Sequence, residues 1–168
     1  MKKQIEIERK FVIKMPSLES LKAEKDHTES DIVQIYLESE RGVTHRIRSR
    51  KFSGKTTYTE TVKRRIDAMS AVEEEGEISA SEFERLSGKI RVGTRPIIKT
   101  RHTFFYEGQT VEIDIYPDWQ RSAVLEVELP DRAAEIKLPE FIEIISEVTG
   151  DFRYSNASMA AAFPSELI

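Results

Sequence analysis

Cysteine is absent from the 168 residues. Disulfides, thiolate nucleophiles, thiolate zinc sites and iron–sulfur clusters are thereby excluded. No apolar run approaches the roughly 18 residues of a membrane span. The basic start at Lys2 and Lys3 is followed at once by Glu6, Glu8, Arg9 and Lys10, not by the apolar stretch of a signal peptide. A cytoplasmic address without membrane contact is therefore expected. An excess of positive charge is missing too. Acidic residues number 30 and basic residues 26, for a net charge of -4, which argues against general nucleic-acid binding. The three histidines, His27, His45 and His102, show no metal-ligand spacing. No GxxxxGK[ST], GxGxxG or GxSxG occurs, so the common phosphate-loop, dinucleotide and serine-hydrolase routes are not available.

What is present is a period of two, repeated along the chain. Alternation over 4–13, 32–38, 44–51, 57–63, 72–78, 96–105, 109–116 and 123–129 predicts eight β-strands with unlike faces. Ser39-Glu40-Arg41-Gly42, Ser53-Gly54-Lys55 and Glu107-Gly108 predict short antiparallel connections. Ser81-x-x-Glu84 is a capping box that predicts a short helix after the fifth strand. Helical spacing of Phe141, Ile144, Ile145 and Val148, with Gly150 behind, predicts a helix over 139–149. Further short helices are expected over 17–22 and 156–163. The length predicts a single domain over residues 1–168.

The alternation gathers charge on one face of every strand but the second. Cations in these rows are Lys10, Arg46, Arg48, Arg50, Lys63, Lys99 and Arg101. Anions are Glu6, Glu8, Glu73, Glu75, Glu77, Glu112, Asp114, Glu126 and Glu128. Two arrangements accommodate such rows. An open sheet would turn them to water and pack its apolar face on helices. A closed eight-stranded barrel would turn them inward, where like charges crowd unless counterions intervene. Carboxylates select hard divalent cations, and arginine and lysine select phosphate oxygens. A lumen carrying both suits a metal-bound polyphosphate.

Glu6-Ile7-Glu8-Arg9-Lys10 matches the ExExK signature of the CYTH superfamily, the triphosphate tunnel metalloenzymes. Arg46-x-Arg48, Thr61-Val62-Lys63, Glu75-x-Glu77, Lys99-x-Arg101, Glu112-x-Asp114 and Glu126-x-Glu128 follow in order and resemble the family's successive strand motifs. Arg153-Tyr154-Ser155-Asn156 resembles its C-terminal signature. The resemblance spans residue 4 to about residue 160.

The resemblance implies an α+β, mainly β fold: a closed eight-stranded antiparallel tunnel with a charged interior and a few flanking helices. It implies a small-molecule triphosphate substrate and Mg²⁺ or Mn²⁺ as cofactor. Carried over, Glu6, Glu8, Glu126 and Glu128 resemble metal ligands, with Asp114 and Glu112 in support. Lys10, Arg46, Arg48, Lys63, Lys99 and Arg101 resemble phosphate ligands. Glu8 and Lys10 are the expected catalytic residues, with metal-assisted attack of water on a terminal phosphoryl group. Inorganic triphosphate is the expected substrate, because no aromatic pair or base-reading motif stands out. Adenylate cyclase, thiamine triphosphatase and nucleoside triphosphatase are alternatives on the same fold, and a non-catalytic polyphosphate-binding module is another. Phe152 departs from the pattern, since many members carry lysine there. Arg50 extends the Arg46, Arg48 row and would compensate as a substrate ligand. Trp119 and Tyr154 are expected to pack, Arg64 and Arg65 to lie in a solvated turn, and only Glu75 and Glu77 of the fifth strand to approach the site. The oligomeric state, monomer or homodimer, is open.

Overall fold

The computed structural model describes residues 1–167. The strands are β1 (Lys2–Lys14), β2 (Thr28–Leu37), β3 (Val43–Phe52), β4 (Lys55–Arg65), β5 (Ser70–Glu77), β6 (Ile97–Tyr106), β7 (Gln109–Ile115), β8 (Ser122–Glu128) and β9 (Ile144–Glu147). The helices are α1 (Leu18–Lys22), α2 (Ala80–Ser87) and α3 (Asn156–Ala161), the last preceded by a 3-10 turn over Phe152–Tyr154. All strand pairs are antiparallel, in the order β5-β4-β3-β2-β6-β7-β8-β1, and β5 returns to pair with β1. Eight strands thus close into a barrel, and the open-sheet alternative is set aside. In this ring β1 and β2 stand opposite each other, four strands apart in either direction.

Local chemistry explains the corners. Ser53-Gly54 and Glu107-Gly108 both take positive φ, at 52° and 78° and at 49° and 76°. Such paired left-handed residues make two-residue turns whose twist matches that of the flanking strands. The cap of α2 differs from expectation. Ser79, not Ser81, accepts from the Glu82 backbone N–H at 3.1 Å, so the N-cap lies two residues earlier, and the Glu82 carboxylate pairs with Arg85.

The helix expected over 139–149 is not formed. Ile144–Glu147 is instead the ninth strand, paired outside the barrel with Phe11–Ile13 of β1. The reason lies in β1. Its first half, through Ile7, pairs with β5, and its second half pairs with β8. The edge that β5 leaves bare from Phe11 onward needs hydrogen-bond partners. The β-branched Ile144 and Ile145 suit a strand there better than a helix. Gly150 does adopt the left-handed conformation, at φ 75°, but it ends no helix. A Cβ on Gly150 would come within 2.7 Å of the Ala68 Cβ.

Two apolar clusters wrap the outside of the barrel. Phe11, Ile13, Leu21, Phe104, Val111, Ile113, Leu125 and Val127 pack beneath the segment carrying Ile136, Leu138, Phe141 and Ile142. Ile35, Leu37 and Ile47 pack beneath Leu86 of α2. A third cluster lies inside. Continuing each polar row leads from charge to Val12, Tyr36, Ile97, Tyr116 and Val124, which meet Met159 and Ala160 of α3. One end of the lumen is therefore filled by hydrocarbon and closed by α3. Trp119 and Tyr154 belong to this plug, 3% and 4% exposed, and both pack as expected. Among the described residues no helix is long and apolar enough to cross a membrane.

His102 stands on the outer face of β6, 1% exposed. It stacks on His27 with ring centroids 5.2 Å apart, and its Nδ1 lies 2.9 Å from His27 Nε2. Burial lowers the His102 pKa, Glu29 opposes, and His27 and Lys22 lower it further, while Asp114 acts the other way. The folded state disfavours the charged ring, whereas the unfolded chain protonates near 6.5. The stability this group contributes is expected to be present above pH 6.5 and lost as the pH falls below it. Thermal unfolding between about pH 5 and 8 reads that slope, and His102→Leu should flatten it.

Candidate functional site

The barrel encloses a cavity of about 240 Å³. Seven carboxylates line it: Glu6, Glu8, Glu73, Glu75, Glu112, Glu126 and Glu128. Seven cations line it too: Lys10, Arg46, Arg48, Lys63, Arg65, Lys99 and Arg101. Their distribution around the ring is uneven. Carboxylates concentrate on β1 and its neighbours β5 and β8. Most cations stand across the lumen on β3 and β6, either side of β2. β2 itself supplies neutral Gln34 and Tyr36.

The two arcs are bound differently. On the cationic side Arg101 reaches Asp114 through Nε at 2.7 Å and Nη2 at 2.9 Å, and Glu112 through Nη1 at 2.7 Å. Lys99 Nζ joins the same Asp114 carboxylate at 2.7 Å. Burial opposes the Asp114 anion, but Arg101 and Lys99 override it and hold its pKa down to about 2. Burial likewise draws Lys99 down to about 7, with Arg101 and Arg48 adding repulsion. Arg48 is lowered to about 9 by burial, Arg46 and Arg101, and remains a cation at neutral pH. Its Nε and Nη2 donate to Gln34 Oε1 at 3.1 and 2.7 Å. The Nη2 atom of Arg46 stands 3.6 Å from Glu73, while its buried Nε finds no hydrogen-bond partner.

On the carboxylate side Lys63 Nζ bonds Glu6 at 2.9 Å. Lys10 Nζ lies 3.4 Å from Glu126 and donates to the Tyr154 carbonyl at 3.3 Å. Glu8 and Glu128 face each other in register across β1 and β8. Neither forms a salt bridge among the described residues. Burial, then repulsion from Glu126 and Glu6, pushes Glu8 up to about 9. Burial, then Glu112 and Glu6, lifts Glu128 to about 7. Glu126 is held well below the ordinary range: burial opposes ionisation, but Lys10, Arg101 and Lys99 prevail. Among the described residues the lumen thus holds the Glu8 and Glu128 carboxyl groups without a salt bridge and, on β3, an Arg46 Nε without an acceptor.

A model of the CYTH domain matches residues 4–163. The chain belongs to the CYTH family. Among solved CYTH-like folds, the inorganic triphosphatase NE1496 is 27% identical, with 95% of this chain and 97% of that chain covered and a TM-score of 0.62. The Pyrococcus horikoshii protein PH1819 is 21% identical, covering 73% of this chain and 80% of that one, with a TM-score of 0.52. The Hippeastrum protein HpAC1, for which a dominant triphosphatase activity is described, is 14% identical, covering 74% of this chain and 80% of that one, with a TM-score of 0.53. The latter two show the fold alone. No curated protein sequence matches this CYTH chain.

Most of the residues expected in the CYTH tunnel come together on the cavity wall: Glu6, Glu8, Lys10, Arg46, Arg48, Lys63, Lys99, Arg101, Glu126 and Glu128. Others do not. Asp114, expected on a metal, lies behind the wall with both oxygens engaged by Arg101 and Lys99. Arg50 is exposed, donates to Ser30 Oγ at 2.8 Å and lies over the Phe52 ring. Phe152 is 75% exposed and borders a second opening of about 150 Å³ beside Glu8, Lys10 and Arg65. Arg153 points outward and pairs with Asp151 at 2.6 Å. On β5, Glu75 lines the cavity as expected, but the two glutamates either side of it exchange places. Glu73 is 5% exposed and faces the lumen, whereas Glu77 lies outside the cavity wall. Arg65 lines the cavity rather than a purely solvated turn.

Lining groups not singled out from sequence include Gln4, Tyr36 and Thr44, and Gln34, behind the wall, accepts from the lining Arg48. Gln34 and Tyr36 share one face of β2, as the alternation requires. Being uncharged, they carried no signal beside the rows of arginine and glutamate.

Proposed function

We propose that the chain, acting as one domain over residues 1–168, is a metal-dependent phosphohydrolase of triphosphate compounds with inorganic triphosphate as substrate. The observation that carries this reading is the opposition of two incomplete arcs across one small cavity. A polyphosphate would satisfy the cationic arc, including the orphaned Arg46 Nε. A divalent cation would be held by one or two of Glu6, Glu8, Glu126 and Glu128, whose all-carboxylate chemistry suits Mg²⁺ or Mn²⁺. Among the described residues no three acidic or histidine groups form a finished cation cage. Mg²⁺ commonly takes one or two protein carboxylates and shares the rest of its shell with water and substrate phosphates. Likeness to an inorganic triphosphatase at 27% identity supports the same reading.

The bound cation would supply charge neutralisation and a water of lowered pKa. The remaining work falls to the chain's own side chains. Arg46, Arg48, Lys63, Lys99 and Arg101 hold the phosphate chain in line. Glu8 orients the attacking water and takes its proton. The water oxygen bonds to the terminal phosphorus as the bridging P–O bond breaks, and the bridging oxygen leaves with diphosphate. Lys10 and the arginines offset the charge on that leaving group. Little covalent chemistry is asked of the protein, as is general for phosphoryl transfer. The cavity, about 240 Å³, is below the roughly 300–1,000 Å³ of sites for drug-sized ligands. Its one aromatic lining side chain, Tyr36, is 2% exposed and offers no platform for a nucleobase. These features favour inorganic triphosphate over the cyclase reading.

Phosphate release from triphosphate, diphosphate, ATP and thiamine triphosphate, with Mg²⁺, Mn²⁺ or EDTA, tests the proposal. Metal-dependent release from triphosphate alone is expected. No release from any substrate would overturn it. Arg46→Ala and Lys63→Ala are each expected to raise KM for triphosphate about 10- to 100-fold, the value of a charge-assisted hydrogen bond, with a smaller loss in kcat. Steady-state kinetics separates the two effects.

A further inference from the structure

We propose that Tyr36 is a further substrate-binding residue, whose hydroxyl donates a hydrogen bond to a phosphate oxygen, and that Gln34 is the positioning residue that makes it a donor. The argument follows proton polarity across β2. Arginine can only donate. Two Arg48 nitrogens reach one atom of the Gln34 amide, at 3.1 and 2.7 Å, so that atom is the oxygen. The amide orientation is thereby forced, which removes the usual ambiguity of such groups. The Gln34 NH₂ must then face Tyr36, and its Nε2 donates to the hydroxyl at 3.0 Å. That donation occupies a lone pair of the hydroxyl oxygen and turns its proton elsewhere. The residue paired with Tyr36 in register on β3 is Arg46, which offers only more donors.

Among the described residues, no acceptor takes the Tyr36 hydroxyl proton. Gln34 is fully buried and Tyr36 is 2% exposed, so bulk water does not readily substitute. Tyr36 is part of the cavity wall beside Arg46 and Arg48. A donor there, flanked by two guanidinium groups, meets the acceptor-only oxygens of a polyphosphate. The lumen-facing row of β2, which carries no charged side chain, thus contributes a neutral donor in the middle of the cationic arc. A row of three adjacent cations there would add repulsion, and a hydroxyl adds none.

This inference rests on the triphosphatase reading, and the test separates the two. Tyr36→Phe is expected to raise KM for triphosphate about tenfold with kcat within about threefold. It should also reduce the triphosphate-induced rise in unfolding temperature measured in EDTA, where turnover plays no part. Tyr36→Phe orphans the Gln34 NH₂, so a second variant guards against a general loss of packing. Gln34→Glu keeps an acceptor for Arg48 and accepts the Tyr36 hydroxyl proton, drawing it away from substrate. It should match Tyr36→Phe in KM, and the double variant should be no worse than either single one. KM within twofold of wild type for Tyr36→Phe, or fully additive effects in the double variant, would overturn the inference. Wild-type protein that neither binds nor hydrolyses triphosphate would defeat the parent reading, and this one with it.

Discussion

Glu8→Gln is expected to abolish phosphate release from triphosphate while leaving the fold no less stable than wild type. The two halves of this result have one cause. Glu8 is enclosed beside Glu126 and Glu6, with no salt-bridge partner among the described residues, and its pKa is pushed up to about 9 by burial and those neighbours. Without a divalent cation it is a neutral carboxyl at pH 7. A glutamine is nearly its isostere and should pack as well. Loss of the anion, however, removes a cation ligand and the acceptor for the water proton. A fall in kcat of roughly 100- to 1,000-fold follows if Glu8 acts in the transition state.

The stability half has its own pH signature. A carboxyl with raised folded pKa contributes stability that is fully present below about 4.5 and lost as the pH rises through about 9. Metal-free wild type should therefore weaken across that window relative to Glu8→Gln, and the gap between their melting temperatures should widen upward. Melts at pH 5, 7 and 9, beside Mg²⁺- and Mn²⁺-dependent turnover, check both halves. Near-normal turnover would remove Glu8 from the mechanism. A variant that unfolds at pH 7 would show that the carboxyl was ionised and structural.

Arg101→Ala should have the opposite character and damage the fold first. Its guanidinium is the fork that holds Asp114 through two nitrogens and Glu112 through a third. Removing it leaves two enclosed carboxylates with only Lys99 to share. Breaking a buried pair by deleting one partner costs about 3–5 kcal/mol. For a chain of this size that corresponds to a fall of roughly 6–20 °C in melting temperature. The pH profile should change as well. In wild type, Asp114 is held at about 2, so its contribution is present above 3.8 and lost as the pH falls toward 2. Without Arg101 that loss should begin at higher pH. Thermal unfolding from about pH 2 to 7 measures it, and a melting temperature within a few degrees of wild type would contradict the role assigned to the fork. Arg101→Lys should recover only part, because an ammonium cannot reproduce the planar fork.

The contrast shows how much of the tunnel was legible in advance. The eight strands were readable because their alternation is strict. A closed barrel requires that every strand have an inside and an outside. The identity of the lumen charges was readable for the same reason, since parity assigns Glu6, Glu8 and Lys10 to one face without any contact being known. Division of labour among those charges was not readable. Glu112, Asp114, Glu126 and Glu128 are one pattern in sequence. In the barrel, Asp114 is consumed by Arg101 and Lys99, whereas Glu128 faces Glu8. Helical spacing misled at 139–149. The deciding interaction there is the bare second half of β1, an edge created by residues more than a hundred positions away.

The amino-acid sequence by itself determined the eight barrel strands, the tight turns at Ser53-Gly54 and Glu107-Gly108, and the set of side chains that can face a lumen. These are local properties, governed by the two-residue repeat of the strand and by which residues tolerate positive φ. Only the tertiary structure decided which charges neutralise one another and which are left wanting. Only it showed that Val12, Tyr36, Ile97, Tyr116 and Val124 form an apolar plug under α3. Those outcomes depend on ring order. Closure between β5 and β1 sets β1 across from β2, and no periodicity along the chain encodes which strands meet across a barrel.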